Sequence, residues 1–211
     1  MEYRKYSFRH AEDIFKNDKD FTYLWNEILE VLDSISDDDL INEFNIETRK
    51  AKSISEAINK LIAKRLSEKG WHEQSYIFAD PDYSDNKGTW RLDFAKDNIA
   101  IEVAFNHGGN VSWNLIKPVL SSELNHVKKA IQTQAGVVIT ATDAMKKAGG
   151  FDNAIGTYEK YVEYLKPLNN LLTTPMMIIG LEPPKKFTIE QKKENGKMVG
   201  HVKLKEEDNN F

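Results

Sequence analysis

The chain has 211 residues, a formal net charge of −4 and no cysteine, and 40% of its residues are hydrophobic. The lack of cysteine excludes disulfides, thiolate zinc sites and a cysteine nucleophile, and is typical of a reducing cytoplasm. The charged N-terminal segment excludes a signal peptide, and no apolar run approaches the roughly 20 residues that cross a bilayer. We therefore expect a cytoplasmic protein without a membrane partner.

Charge is distributed unevenly along the chain. Six acidic residues lie between Asp33 and Glu47, in a stretch that we interpret as a loop, whereas residues 185–205 contain seven lysines against two glutamates. A local basic surface can bind phosphate groups although the total charge is negative, because salt screens distant charges. Each run by itself is more simply interpreted as a solvated surface.

Apolar spacing predicts two helices in the first 70 residues. The first covers about Ala11–Asp33, and the second begins at a capping box formed by Ser53 and Glu56 and stops at Gly70. A short strand is expected at residues 76–79, before a loop rich in turn-forming residues.

The middle of the chain predicts a β-hairpin. Strands at Trp90–Ala95 and Asn98–Phe105 are joined by a tight turn at Lys96-Asp97. The second strand alternates, with Ile99, Ile101, Val103 and Phe105 on one face and Ala100, Glu102 and Ala104 on the other.

The remaining elements complete an α/β pattern. We expect a helix from Trp113 to about Ile131, buried strands at Ala135–Ala141 and Pro175–Leu181, short helices at Asp143–Lys147 and Gly156–Leu165, and a hairpin around Asn195-Gly196. This order predicts a mixed β-sheet flanked by helices, with a C-terminal β-hairpin. We interpret residues 1–211 as one domain, with an N-terminal helical part (1–50), a core (51–183) and a hairpin tail (184–211).

Glu102 indicates chemistry, because an unpaired carboxylate is costly to bury in the middle of an apolar strand. Asp93, on the preceding strand, is expected on the face of Arg91 and within a few ångströms of Glu102. Two such carboxylates repel each other unless a cation lies between them, and oxygen ligands of this kind suit Mg²⁺. A structural ion pair of Glu102 with Arg91 or a lysine is the alternative.

The segment LDFAKDNIAIEVAF, residues 92–105, resembles the active-site region of the BglII and BstYI type II restriction endonucleases, within the PD-(D/E)xK nucleases. A looser resemblance extends through GVVITAT and PMMIIGLEP and through the earlier AINKLIAKRLSEKGWHE. It implies a restriction-endonuclease-like fold in which Asp93, Glu102 and the carbonyl of Val103 bind Mg²⁺. It also implies a homodimer that cuts double-stranded DNA at a short palindrome, often one centred on GATC.

One departure concerns the position two residues after the glutamate. It is lysine in most of the superfamily and glutamine in the two named enzymes, whereas this chain has Ala104. Three interpretations stay open: Asn106, His107 or Lys117 takes over the role of the missing side chain, the metal suffices without it, or the chain is inactive.

Further residues are candidates of lower specificity. Glu56 is a candidate catalytic residue that could also reach the metal, although its capping role explains it equally well. Asp82, in a literal Pro81-Asp82, is a second candidate for the family aspartate, but a turn-rich loop is a poor place for it. For contacts with DNA phosphates we expect Lys117, Lys128 and Lys129, or the basic side chains of the C-terminal hairpin.

Three rival functions remain at this stage. They are a repair or structure-specific nuclease acting as a monomer, a DNA-binding protein that has lost its activity, and a helical interaction module in which the two carboxylates are structural.

Overall fold

The computed structural model describes residues 1–46, 51–83, 89–124 and 126–206, and within them it has eight strands and seven α-helices. In chain order they are β1 (Tyr3–Phe8), α1 (Ala11–Asn17), α2 (Lys19–Ser34), α3 (Asp37–Ile46), α4 (Ser55–Glu68), β2 (His72–Tyr76), β3 (Arg91–Lys96), β4 (Ile99–Val103), α5 (Val111–Ser122), β5 (Ala135–Ala141), α6 (Asp143–Ala148), α7 (Tyr158–Leu165), β6 (Met176–Leu181), β7 (Phe187–Glu194) and β8 (Lys197–Leu204).

Six strands form one mixed sheet in the order β1-β6-β5-β4-β3-β2. Strands β4, β5 and β6 are parallel, while β2, β3 and β4 are joined antiparallel and β1 pairs antiparallel with β6. Every residue of β5 and β6 is buried, as expected for central strands covered on both faces. The predicted mixed sheet with flanking helices is confirmed.

Helices cover the two faces of this sheet with separate apolar clusters. The larger cluster joins α2 and α4 to Ile99, Ile101 and Val137, and the smaller one joins α5 and α7 to Ala104 and Val138. The hairpin of β3 and β4 therefore lies between two packed layers, which hold its side chains in defined positions.

The N-terminal part differs from the sequence prediction in three ways. Strand β1 was missed, because its exposed charged side chains hide the alternation of an edge strand. The single helix expected at Ala11–Asp33 is divided at Asp18, whose carboxylate accepts a hydrogen bond from the Asp20 amide and caps α2. The acidic stretch was wrongly interpreted as a loop: it forms α3, which buries Leu40 and Phe44 one turn apart.

Helix boundaries also needed correction. The capping box of Ser53 and Glu56 is wrong, because α4 follows Ile54 without a side-chain cap, but Gly70 ends the helix region with a φ of 81° as predicted. The strand expected at residues 76–79 is β2, which begins at His72 and overlaps the predicted range only at Tyr76. The helix expected from Trp113 to Ile131 is the shorter α5, and α7 begins two residues after Gly156.

The C-terminal hairpin was predicted correctly. Asn195 and Gly196 both have positive φ, at 48° and 82°, as a two-residue turn between twisted strands requires. Three hydrogen bonds of residues in these strands join it to the core. Gln191 Nε2 donates to the carbonyls of Gly150 at 2.6 Å and Lys52 at 3.3 Å, and the Gly200 amide donates to the Ala51 carbonyl at 2.8 Å. No helix among the described residues is long and apolar enough to cross a membrane.

Candidate active site

The site lies where strands β3 and β4 separate. The turn between them lies at Asp97-Asn98, one residue later than the predicted Lys96-Asp97, because Lys96 still pairs with Ile99. From there the pairing runs only as far as Phe94 and Ile101. Beyond that point the Asp93 carboxylate occupies the gap, and its Oδ2 accepts a hydrogen bond from the Val103 amide at 2.7 Å. A side chain thus replaces a backbone acceptor, which holds the carboxylate at the opening between the strands.

Glu102 is buried beside it, with only 1% of its surface exposed. Its Oε2 is paired with the ammonium group of Lys117 from α5, while its Oε1 is buried and has no hydrogen-bond partner. The Lys117 ammonium also donates to the Arg91 carbonyl at 3.2 Å. The structural ion pair considered above therefore exists, but it satisfies only one of the two carboxylate oxygens.

Burial and mutual repulsion weaken the acidity of both carboxyl groups. Burial raises the pKa of Glu102 to about 8, and the charge of Asp93 adds to this effect while Lys117 opposes it. Burial also raises the pKa of Asp93 above its usual value, against hydrogen bonds from the Val103 amide and the Gln74 side chain and against the charge of Lys117. Two desolvated carboxyl groups with one shared cation form a site that a further cation would stabilise.

Ala104 lies next to this pair, in an apolar environment. It is 1% exposed and belongs to the cluster that α5 and α7 build with Val111, Leu115 and Tyr161. A lysine or glutamine side chain would have to displace this packing. The space that the family's lysine or glutamine would take is therefore filled here by apolar side chains. The ammonium group of Lys117, from α5, contacts Glu102 instead.

Gln74 is a site residue that the sequence analysis missed. It has a φ of 50° in the middle of β2, a conformation that costs a non-glycine residue on the order of 1 kcal/mol. Its side chain interacts with the Asp93 carboxyl group and lowers the pKa of that group, against the effect of burial. The only sequence signal was a glutamine within a short alternating run, which does not reveal its backbone conformation.

A cleft of about 140 Å³ opens beside Asp93 and Gln74. Its wall is formed by Asn59, Ala63, Glu73, Gln74, Asp93, Phe94 and Val103. Asp93 is therefore accessible from the α4 side, while Glu102 is covered by α5.

The other candidate residues have different surroundings. Asn106 is exposed, and its Oδ1 accepts a hydrogen bond from Asn114 Nδ2 at 3.0 Å. His107 is also exposed, and its Nδ1 accepts from the Gly109 amide at 3.0 Å, which caps a short 3₁₀ turn. Of the three residues considered as replacements for the missing lysine, only Lys117 contacts Glu102.

Glu56 and the two further lysines lie away from this contact. The Glu56 carboxylate lies 3.7 Å from the ammonium group of Lys60, one turn along α4. Lys128 is exposed, whereas Lys129 is buried with its ammonium group 4.6 Å from the centre of the Phe78 ring. Burial lowers the pKa of Lys129.

The donor set at the hairpin fits a hard divalent cation with few protein ligands. Among the described residues, no group of three or more acidic, histidine or cysteine side chains could hold a metal. Asp93 and Glu102 nevertheless supply two carboxylates, one with an unpartnered buried oxygen. Mg²⁺ characteristically takes one or two carboxylates and completes its shell with water and phosphate oxygens.

The sequence model of the family described as restriction endonuclease BglII/BglIII matches residues 3–181. The structure is similar to that of restriction endonuclease BglII complexed with a DNA 16-mer, with a TM-score of 0.65 and 17% identity over 96% of this chain and 100% of that chain. Free BglII gives a TM-score of 0.53 and 16% identity over 97% and 100% of the two chains. At these identities the likeness shows the fold, and no curated protein matches the sequence.

Proposed function

The chain belongs to the BglII/BglIII restriction endonuclease family, and on that premise we propose that it is a Mg²⁺-dependent endonuclease that hydrolyses double-stranded DNA at one short site. The observation that carries the proposal is the unpartnered buried Oε1 of Glu102 next to the Asp93 carboxylate. A folded protein rarely buries such an oxygen without a ligand or a chemical role for it.

Asp93 and Glu102 would hold the ion, with the carbonyl of Val103 as the third protein ligand. Asp93 is already oriented by the Val103 amide and by Gln74, so its carboxylate needs little reorganisation to bind. When bound, Mg²⁺ supplies the positive charge that polarises the phosphodiester and neutralises the leaving oxygen.

Lys117 would take the role of the side chain that Ala104 lacks. Its ammonium group is held between the Glu102 carboxylate and the Arg91 carbonyl, so it is fixed at the point where the two strands separate. A cation there favours the ionised form of Glu102 and can donate a hydrogen bond to an attacking water or to a phosphate oxygen. Asn106 and His107 are weaker candidates for this role, because their side chains already accept hydrogen bonds from Asn114 and from the Gly109 amide.

Binding to DNA would use a two-fold dimer and a palindromic site. A closed dimer matches a palindrome because protein and DNA then share one symmetry axis. The solved BglII complex contains a DNA 16-mer, which supports duplex DNA as the substrate here. We extend the proposal to a GATC-centred site and to phosphate contacts by Lys128, which is exposed, and by Lys129 if its ammonium group leaves the Phe78 ring.

A DNA-binding protein without activity is the second candidate, and the apolar packing of Ala104 is the observation that favours it. The two functions differ in one experiment. Purified protein is incubated with unmethylated phage DNA in Mg²⁺, in Mn²⁺ and in chelator, beside Glu102→Gln and the surface control Glu68→Gln, at an exposed position of α4.

Discrete fragments that require a divalent ion, persist in the control and vanish with Glu102→Gln are the expected result. A gel shift without cleavage in any metal would favour the inactive binding protein. Cutting that follows ends or damage and ignores sequence would instead identify a repair or structure-specific nuclease. Intact and unbound DNA in every lane would refute both candidates.

A further inference from the structure

The guanidinium group of Arg91 is held rigidly at the start of β3. Its central carbon lies 4.3 Å from the centre of the Tyr76 ring, on the paired strand β2, and its Nη2 donates to the Tyr76 hydroxyl. An arginine stacked on an aromatic face in this way has a fixed plane, so its donors have fixed directions.

Most hydrogen-bonding capacity of this group is unused. An arginine carries five N–H donors, of which the Tyr76 hydroxyl takes one. The Nε of Arg91 is buried and has no hydrogen-bond partner, and Arg91 forms no ion pair with any carboxylate that the structure describes. A fixed positive charge with unsatisfied donors is a binding site for an anion, because a charged donor buried without a partner destabilises the fold.

The position of Arg91 relates this anion site to the carboxylate pair. Its backbone carbonyl accepts the hydrogen bond from Lys117, and it lies two residues before Asp93 at the separated end of β3 and β4. A strand rises about 3.3 Å per residue, so the backbone positions of Arg91 and Asp93 are separated by about 6.6 Å along β3. A nucleic-acid strand that presents one phosphate to Asp93 and Glu102 therefore passes close to Arg91.

We propose that Arg91 binds a backbone phosphate of the DNA strand next to the bond that is cut, with Tyr76 as the positioning residue that orients its guanidinium group. The inference rests on the proposed function, since it assigns the residue that aligns the strand over the carboxylate pair. A phosphate presents two oxygens with the spacing of a guanidinium fork, which makes it the natural ligand of an oriented arginine.

The test is duplex DNA binding in chelator as a function of salt concentration, for wild type, Arg91→Gln, Arg91→Lys and the control Arg4→Gln. Arg4 lies on β1, at the opposite edge of the sheet, and the control removes the same charge. Losing one phosphate contact should flatten the slope of log K against log salt by about 0.9 and weaken binding on the order of tenfold at 0.1 M salt.

Arg91→Lys should keep the wild-type slope, because it keeps the charge, but should bind more weakly, because it loses the fork and the stacking geometry. It also serves if Arg91→Gln does not fold, which circular dichroism would detect. Wild-type slope in Arg91→Gln, or wild-type affinity in Arg91→Lys, would overturn the assignment.

Cleavage by the same wild-type preparation in Mg²⁺ separates this inference from the proposed function. A wild type that binds DNA but never cuts it would refute the proposed activity, and the salt slope would still decide the role of Arg91. A wild type that does not bind DNA would overturn both.

Discussion

Replacing Glu102 by glutamine should stabilise the metal-free protein while abolishing cleavage. Glutamine has nearly the same shape, so the packing under α5 is kept, but it removes a carboxylate that is 1% exposed and has an unpartnered oxygen. The variant resembles the wild type with Glu102 protonated. Its extra stability should therefore equal the free energy that the raised pKa of Glu102 costs the folded wild type at the same pH.

That cost follows from the pKa of Glu102, which burial raises from 4.5 to about 8. A carboxyl group whose pKa is higher in the folded state holds its proton more tightly there, so the free energy of unfolding falls as pH rises from about 5 to about 8. At roughly 1.4 kcal/mol for each pH unit, the loss at pH 7 is about 3 kcal/mol. For a chain of this size it corresponds to a melting temperature higher by about 6–12 °C in the variant.

The assay is urea unfolding of wild type and Glu102→Gln in chelator at pH 5.5, 7 and 8. The difference between the two proteins should be roughly 1 kcal/mol at pH 5.5 and grow with pH, while Glu68→Gln, on the surface of α4, stays within about 0.5 kcal/mol of wild type throughout. Mg²⁺ should then stabilise the wild type and leave Glu102→Gln unchanged. A variant less stable than wild type at pH 7, or a difference that does not grow with pH, would refute the account of a strained buried carboxylate.

Three further predictions concern the residues around this carboxylate. Lys117→Met should reduce the cleavage rate at least 100-fold while duplex binding is retained. Lys128→Met should instead weaken binding and leave the cleavage rate at saturating DNA unchanged. Equal cleavage rates for wild type and Lys117→Met would show that Lys117 has no part in the mechanism. Ala104→Gln should lower the free energy of unfolding by about 1–3 kcal/mol in urea and should not raise the cleavage rate, because the space around residue 104 is filled by apolar side chains. A variant that cleaves faster than wild type would contradict this. Gln74→Gly should leave the free energy of unfolding within about 1 kcal/mol of wild type, since glycine accepts a φ of 50°. It should lower the cleavage rate, because the carboxylate of Asp93 loses its contact with the glutamine side chain. An undiminished cleavage rate would mean that Gln74 does not act on the site.

The central part of the fold was predictable because its sequence signals are strong and local. Buried strands such as β5 and β6 are continuous apolar runs. An Asn-Gly pair between two alternating runs, as at Asn195-Gly196, is a strong signal for a two-residue hairpin turn. The edges were less predictable, since β1 exposes charged side chains and depends on its pairing with β6 for its structure. Helix α3 buries only two large residues, so its acidic composition concealed its periodicity.

The candidate site was predictable only as far as residue type and strand position allowed. Asp93 and Glu102 are recognisable as carboxylates on adjacent strands. Strict alternation along β3 would place Leu92 and Phe94 on one face, whereas the two side chains pack in different clusters. The pairing of β3 with β4 also stops at Phe94 and Ile101, which no local pattern encodes. The contact of Lys117 with Glu102 and the left-handed backbone of Gln74 also depend on tertiary packing, and they needed the folded chain to be found.

The bond from the Val103 amide to the Asp93 carboxylate gives the protein a built-in spectroscopic reporter. Most amides in the sheet donate to carbonyls, which keep their charge distribution whatever the pH or the ligand. The Val103 amide proton instead faces the Asp93 carboxyl group, whose negative charge is removed by protonation and balanced by a bound cation. The nuclear magnetic resonance shift of this proton should therefore follow both events. Occupancy of the site can thus be followed at a single backbone amide, without any DNA being cut.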